Sequence, residues 1–125
     1  MSQKTVLVIE DSPELAESLF DVLEMEGYNA VIALNGRDGV TQALALHPDL
    51  ILLDIRLPDI DGYKVFQKIR ADVEWGTTAK VLILTASESI ENISKNVDLP
   101  VEYVLFKPEM SISQLVLKIK DRLKD

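Results

Sequence analysis

The sequence predicts an α/β fold: a doubly wound parallel sheet of five strands with helices on both faces. Three observations carry this. Short apolar runs alternate with amphipathic segments five times over. The middle run, Leu50-Ile51-Leu52-Leu53, is apolar at every position, as a central parallel strand covered on both faces requires. The joins between segments also carry helix start and stop residues.

The elements follow in order. Val6–Ile9 is a strand rich in β-branched residues. Ser12-Pro13 opens the first helix, with Ser as N-cap and Pro at the first helical position. Leu15, Leu19, Val22 and Leu23 form its apolar stripe, and Gly27 stops it. Ala30–Leu34 is the second strand, after which Asn35 caps a helix carrying Val40, Ala43, Leu44 and Leu46. The third helix runs over roughly Gly62–Ala71, with Tyr63, Phe66 and Ile69 facing inward. Lys80–Leu84 is the fourth strand, followed by a weak helix near Ile90–Val97, and Tyr103–Phe106 is the fifth strand. Ser111-Ile112-Ser113-Gln114 matches a capping box at the start of the last helix, whose stripe is Ile112, Leu115, Val116, Ile119 and Leu123.

Composition bounds the function. At 125 residues, 47% hydrophobic and 27% charged, the chain fits one domain spanning 1–125. A net charge of −8 argues against a nucleic-acid surface, which needs a basic stripe, and against docking on anionic lipid. No apolar run approaches the ~20 residues of a bilayer span. There is no cysteine for a disulfide or a thiolate metal site, and Met1-Ser2-Gln3-Lys4 leads straight into a strand. The expectation is a cytoplasmic protein.

In parallel α/β sheets, sites gather at the carboxyl ends of the strands. Glu10-Asp11 follows the first strand, Asp54 the third, Thr85 the fourth and Lys107 the fifth, so all five point toward one crevice. Three carboxylates in a small space repel one another unless a cation neutralises them, and hard oxygen ligands favour Mg²⁺. A cation, an ammonium and a hydroxyl together suit a phosphoryl group, whose transfer needs charge neutralisation and positioning. An Asp can accept it as an acyl phosphate. Taken singly, each residue has a plainer explanation. Glu10-Asp11 would be favourable charge at a helix N-terminus, Asp54 a turn acid, Thr85 a strand end, and Lys107-Pro108 a common loop dipeptide.

The segments Val6-Leu7-Val8-Ile9-Glu10-Asp11-Ser12, Leu52-Leu53-Asp54-Ile55-Arg56-Leu57-Pro58-Asp59-Ile60-Asp61-Gly62, Leu82-Ile83-Leu84-Thr85-Ala86 and Phe106-Lys107-Pro108 resemble the four signatures of response-regulator receiver domains, in order and across essentially the whole chain. The resemblance implies a flavodoxin-like sheet of order 2-1-3-4-5. It implies Asp54 as phosphoacceptor, with Mg²⁺ held by Asp11, Asp54, the carbonyl of Arg56 and, often through water, Glu10. Thr85 would bond a phosphoryl oxygen, Lys107 would pair with it, and the Lys107–Pro108 peptide would be cis. The donor would be a phosphohistidine on a histidine kinase or histidine phosphotransfer domain. The chain would catalyse only its own phosphorylation and dephosphorylation, and so is not a metabolic enzyme. Its output would be a phosphorylation-dependent homodimer or an effector protein on the face of the fourth helix, fifth strand and fifth helix. Met1 and the short tail Asp121–Asp125 suggest a stand-alone regulator or relay.

The sequence departs from the family in places. The aromatic switch residue expected three positions before Lys107 is Val104, with Tyr103 one place earlier, so absence of that switch is expected. Residues 96–102 lack the usual Gly-Ala pair, Glu109 replaces an aromatic or apolar residue, and Arg56 and Ser87 stand where the family tunes phosphoryl lifetime. Trp75 is read as a partly packed loop residue, and His47 as a cation favoured at a helix end. Two rivals stay open. A Mg²⁺-dependent phosphatase with an aspartyl nucleophile would need a second Asp at position 56, which is Arg. A pseudo-receiver interaction module would be expected to have lost some of the five site residues.

Overall fold

The computed structural model describes residues 3–124; Met1, Ser2 and Asp125, on which the expectations about the start and tail of the chain rest, lie outside it. The order of elements is β1 (Thr5–Ile9), α1 (Pro13–Met25), β2 (Asn29–Ala33), α2 (Gly36–Leu46), β3 (Leu50–Asp54), α3 (Gly62–Arg70), β4 (Val81–Thr85), α4 (Ile90–Val97), β5 (Val104–Phe106) and α5 (Ile112–Leu123). Short 3₁₀ turns flank β5 at Val101–Tyr103 and Lys107–Glu109. All pairings are parallel, in the order β2-β1-β3-β4-β5.

Side-chain alternation divides the core into two layers. Leu7, Ile9, Ile51, Leu53, Val81, Ile83 and Val104 face α2, α3 and α4, where Ala43, Phe66, Ile69, Ile93 and Val97 meet them. Val6, Val8, Leu50, Leu52, Leu82, Leu84 and Leu105 face α1 and α5, against Leu19, Leu23, Leu115, Ile119 and Leu123. The predicted caps are made. Ser12 Oγ accepts from the Leu15 N–H, Asn35 from Asp38, and Ser111 and Gln114 complete their reciprocal box. Gly27, at φ +94°, turns the chain out of α1, a conformation that L side chains rarely adopt.

Some expectations shift. In α2 the buried residues are Gly36, against Ile60 and Val65, Gly39, against Ile9 of β1, and Ala43, while Leu44 and Leu46 stand well exposed. Small residues let this helix lie close to the sheet, so its large apolar side chains are displaced to the rim. Tyr103 belongs to the turn before β5, with Arg122 of α5 over its ring at 3.8 Å. Val104 is buried in the α4 layer. No described peptide bond is cis, so Lys107–Pro108 is trans. Pro108 sits in the first turn of a 3₁₀ segment, where its missing N–H leaves no bond unmade. At the amino end of the sheet, His47 caps α2 in a left-handed conformation and its ring stacks on Trp75, centroids 4.7 Å apart and 9° from parallel. No helix among the described residues is long and apolar enough to cross a membrane.

Candidate functional site

The strand ends converge as the alternation requires. Glu10 follows β1, and its N–H extends the ladder to Ala33 of β2 at 3.0 Å. Asp54 ends β3 and pairs in register with Leu84; Thr85 ends β4 and pairs with Phe106, which places Lys107 at the mouth of the same crevice. Gly62 closes the loop after β3. Its N–H donates to the Ile55 carbonyl at 2.8 Å, and a Cβ there would stand 2.6 Å from Ile55 Cα and 2.8 Å from the Asp54 carbonyl oxygen. Only a residue without a side chain lets α3 start this close to the strand that carries Asp54.

Three of the predicted residues are in direct contact. Lys107 Nζ lies 2.8 Å from Asp54 Oδ2 and 2.9 Å from Glu10 Oε1. Both acids are buried, Glu10 completely and Asp54 with 3% exposure, whereas about a quarter of the Lys107 side chain (26%) meets solvent. Asp54 Oδ1 accepts the Arg56 backbone N–H at 3.0 Å, and Glu10 Oε2 accepts that of Ser12 at 3.0 Å. Asp11 stands exposed at the rim, and carboxylate oxygens of Glu10, Asp11 and Asp54 lie within 4.8 Å of one another.

The electrostatics show a shortage of positive charge. Burial pushes the Glu10 carboxyl up to about 7; the Ser12 N–H and the Lys107 ammonium pull it down, and the Asp54 carboxylate adds to the rise. For Lys107, burial works against the charged form, but its bonds to Asp54 and Glu10 prevail and hold it above its ordinary value. One ammonium does not neutralise three carboxylates. Glu10 Oε1 is buried and, despite its 2.9 Å approach to Lys107, has no aligned hydrogen bond. An under-bonded buried oxygen beside two other carboxylates fits a hard divalent cation such as Mg²⁺.

Thr85 is brought to the crevice but its hydroxyl is engaged elsewhere. Oγ1 accepts the Glu88 N–H and donates to the Glu88 carbonyl, both at 3.0 Å. Arg56 is exposed, and its guanidinium donates to Ser87 Oγ at 3.1 Å, joining the loops after β3 and β4 across the mouth of the site. Sequence reasoning missed Tyr63 and Glu88. The phenol donates to the Glu88 carboxylate, at 2.6 Å to Oε2 and 3.1 Å to Oε1. No periodicity or motif links two residues 25 apart, and the helical period places Tyr63 only on the inward face of its helix.

Comparison with known proteins agrees with this arrangement. The family model for the response regulator receiver domain matches residues 6–120. The DNA-binding dual master transcriptional regulator RpaA of Synechocystis is 34% identical over 119 residues, covering 95% of this chain and 48% of its own. The transcriptional regulatory protein PcoR of Escherichia coli is 34% identical over 119 residues, covering 95% of this chain and 51% of its own. The chain thus spans about half the length of these curated relatives. Among solved structures, a CheY-like receiver domain protein from Methanospirillum hungatei superposes with a TM-score of 0.82 at 29% identity, covering 98% of this chain and 94% of that one.

Proposed function

The chain belongs to the response regulator receiver family, and from that premise we propose that it takes a phosphoryl group onto Asp54 and uses it as a conformational switch. The observation that carries this reading is the contact between Lys107 Nζ and Asp54 Oδ2 at 2.8 Å, beside the carboxylates of Glu10 and Asp11.

Asp54 has one oxygen on the Arg56 N–H and one on Lys107. In the proposed reaction an Asp54 oxygen attacks the phosphorus of a phosphohistidine on a histidine kinase or histidine phosphotransfer domain. The O–P bond forms as the P–N bond breaks, and the electron pair leaves with the imidazole. Lys107 then pairs with a phosphoryl oxygen, and Thr85 donates its hydroxyl to another. Glu10, Asp11, Asp54 and the Arg56 carbonyl would hold Mg²⁺, which when bound supplies the positive charge that gathers phosphoryl oxygens onto an acidic site. Water later cleaves the O–P bond and releases phosphate, so turnover ends where it began and no metabolite is consumed. Arg56 occupies the position where an aspartyl phosphatase needs a second acid, and its guanidinium rests on Ser87. The sequence keeps Glu10, Asp11, Asp54, Thr85 and Lys107 after the strands of this sheet, which favours the phosphoacceptor over a pseudo-receiver.

The added charge, roughly −1.5 to −2, would act on the face of α4, β5 and α5, the surface for a homodimer or an effector protein. RpaA is named as DNA-binding; the net charge of −8 here supports no direct nucleic-acid contact by residues 1–125, read as one receiver domain acting in the cytoplasm.

The test is intact-mass measurement after incubation with a small acyl phosphate and Mg²⁺. One added phosphoryl group is expected, absent with chelator and absent in Asp54→Asn. Modification persisting in that variant would sink the assignment of Asp54.

A further inference from the structure

A threonine hydroxyl carries one proton. Thr85 spends it on the Glu88 carbonyl while accepting the Glu88 N–H, so its Oγ1 is held to the backbone of a single residue from both sides. Thr85 is itself buried, with 1% exposure, and water is not available as a substitute partner. To donate toward Asp54 it must release Glu88, which requires the loop between β4 and α4 to change shape. That loop is not held by Thr85 alone. The Glu88 carboxylate takes the Tyr63 phenol at 2.6 Å and 3.1 Å, which ties the loop to the first turn of α3. Burial and the neighbouring carboxylate both raise the Tyr63 hydroxyl above its ordinary value, so it keeps its proton and remains the donor through neutral pH. Glu88 also directly precedes Ser89, whose side chain caps α4 by accepting the Asn92 N–H at 3.1 Å. The position of Glu88 therefore sets both where the Thr85 hydroxyl points and where α4 begins.

We propose that Tyr63 is a positioning residue for the Asp54 reaction, its phenol holding Glu88 so that the Thr85 hydroxyl is kept off the crevice until the site is occupied. The proposal rests on the phosphoacceptor reading of Asp54. It names the element opposing the switch: a bond between α3 and the loop, made by side chains that touch neither Asp54 nor the acidic cluster. Occupancy of the site draws Thr85 inward, and the Tyr63–Glu88 bond resists.

Tyr63→Phe removes the hydroxyl and keeps the ring that packs on the core. The probe is beryllofluoride, a stable phosphoryl mimic, titrated at fixed Mg²⁺. Loss of one hydrogen bond of ordinary net worth should tighten half-saturation roughly three- to tenfold. Glu88→Ala should do the same, and the double variant should gain nothing further. In a Thr85→Ala background, Tyr63→Phe should have no effect, since no hydroxyl remains to be parked. Hydrogen exchange of the Glu88 amide in the ligand-free protein should accelerate in Tyr63→Phe. Unchanged beryllofluoride affinity in Tyr63→Phe overturns the proposal, as does an equal gain in the Thr85→Ala background. If the wild-type protein binds no beryllofluoride, the Asp54 reading falls and the positioning role with it. If the wild type binds and only the variants fail to respond, the Asp54 reading stands and this proposal alone is lost.

Discussion

Replacing Lys107 with Met removes the ammonium that contacts Glu10 and Asp54 and keeps the aliphatic stem. The wild-type contacts are short, 2.8 Å and 2.9 Å, and both acids are buried. Breaking a buried pair by deleting one partner costs about 3–5 kcal/mol when the remaining charge stays ionised. A stranded carboxylate has an escape, because it can bind a proton. The acid placed to bind it is Glu10; an unfolded glutamate titrates near 4.3 and each pH unit is worth about 1.4 kcal/mol, so keeping one glutamate neutral in the fold at about pH 7 costs at most about 4 kcal/mol. Partial exposure of Lys107 reduces the loss further, and we expect roughly 2–4 kcal/mol at about pH 7 in chelator. The pH dependence follows from proton counting. The folded variant binds a proton that its unfolded chain does not, so the penalty relative to wild type grows as pH rises and shrinks by up to about 1.4 kcal/mol per unit as it falls. Glu10 acts in the same direction: in wild type its folded value of about 7 lies above the ordinary 4.5, so its contribution is complete below 4.5 and lost as pH rises through 7, and removing Lys107, which pulls it down, raises it further in the variant. Urea unfolding of both proteins from about pH 5 to pH 8 measures the difference. A loss independent of pH, or one below about 0.5 kcal/mol at neutral pH, would refute the account of Lys107 as the counter-charge of a buried acid pair.

Two further outcomes follow from the caps. Asp59 accepts the N–H groups of Gly36 and Arg37 at 2.7 Å and 2.9 Å, tying the loop after β3 to the start of α2. Burial would raise it, but the backbone donors of Arg37, Gly36 and Ile60 prevail and hold it at about 2, below the ordinary 3.8. Its contribution is present above about pH 4 and lost as pH falls toward 2, so the thermal advantage of wild type over Asp59→Ala should vanish across that window; a constant advantage would contradict it. Ser111→Ala should cost about 1 kcal/mol by opening the capping box of α5, and urea midpoints should recover most of it in Ser111→Thr.

Much of the fold was legible because each level of the sequence agreed with the next. Ser12-Pro13 and Ser111–Gln114 announced their helices, and the all-apolar run at Leu50–Leu53 announced a covered central strand. The convergence of Glu10, Asp54 and Lys107 followed from topology, since parallel strands deliver their ends to one edge. What stayed hidden depended on distances that no local pattern encodes. Leu44 and Leu46 fit the helical period, yet Gly39 and Ala43 took the contact with the core. The burial of Glu10 was not readable from its place beside Asp11. The engagement of Thr85 by Glu88, and of Glu88 by Tyr63, needed the loop in three dimensions. Tyr103 left β5 where a short 3₁₀ turn replaced the strand start expected there, and the trans bond at Pro108 lies in a second such turn after the strand.

The stacked pair of His47 and Trp75 has a practical bearing on how this protein can be watched. Trp75 is the sole tryptophan, and its ring lies against an imidazole at the amino ends of the strands, away from the carboxyl ends that carry Asp54. Its emission therefore reports whether the chain is folded, changing when the two rings separate. It is badly placed to sense events at Asp54. Denaturation can be followed with the protein's own light, whereas phosphorylation calls for a mass, a resonance or an introduced label.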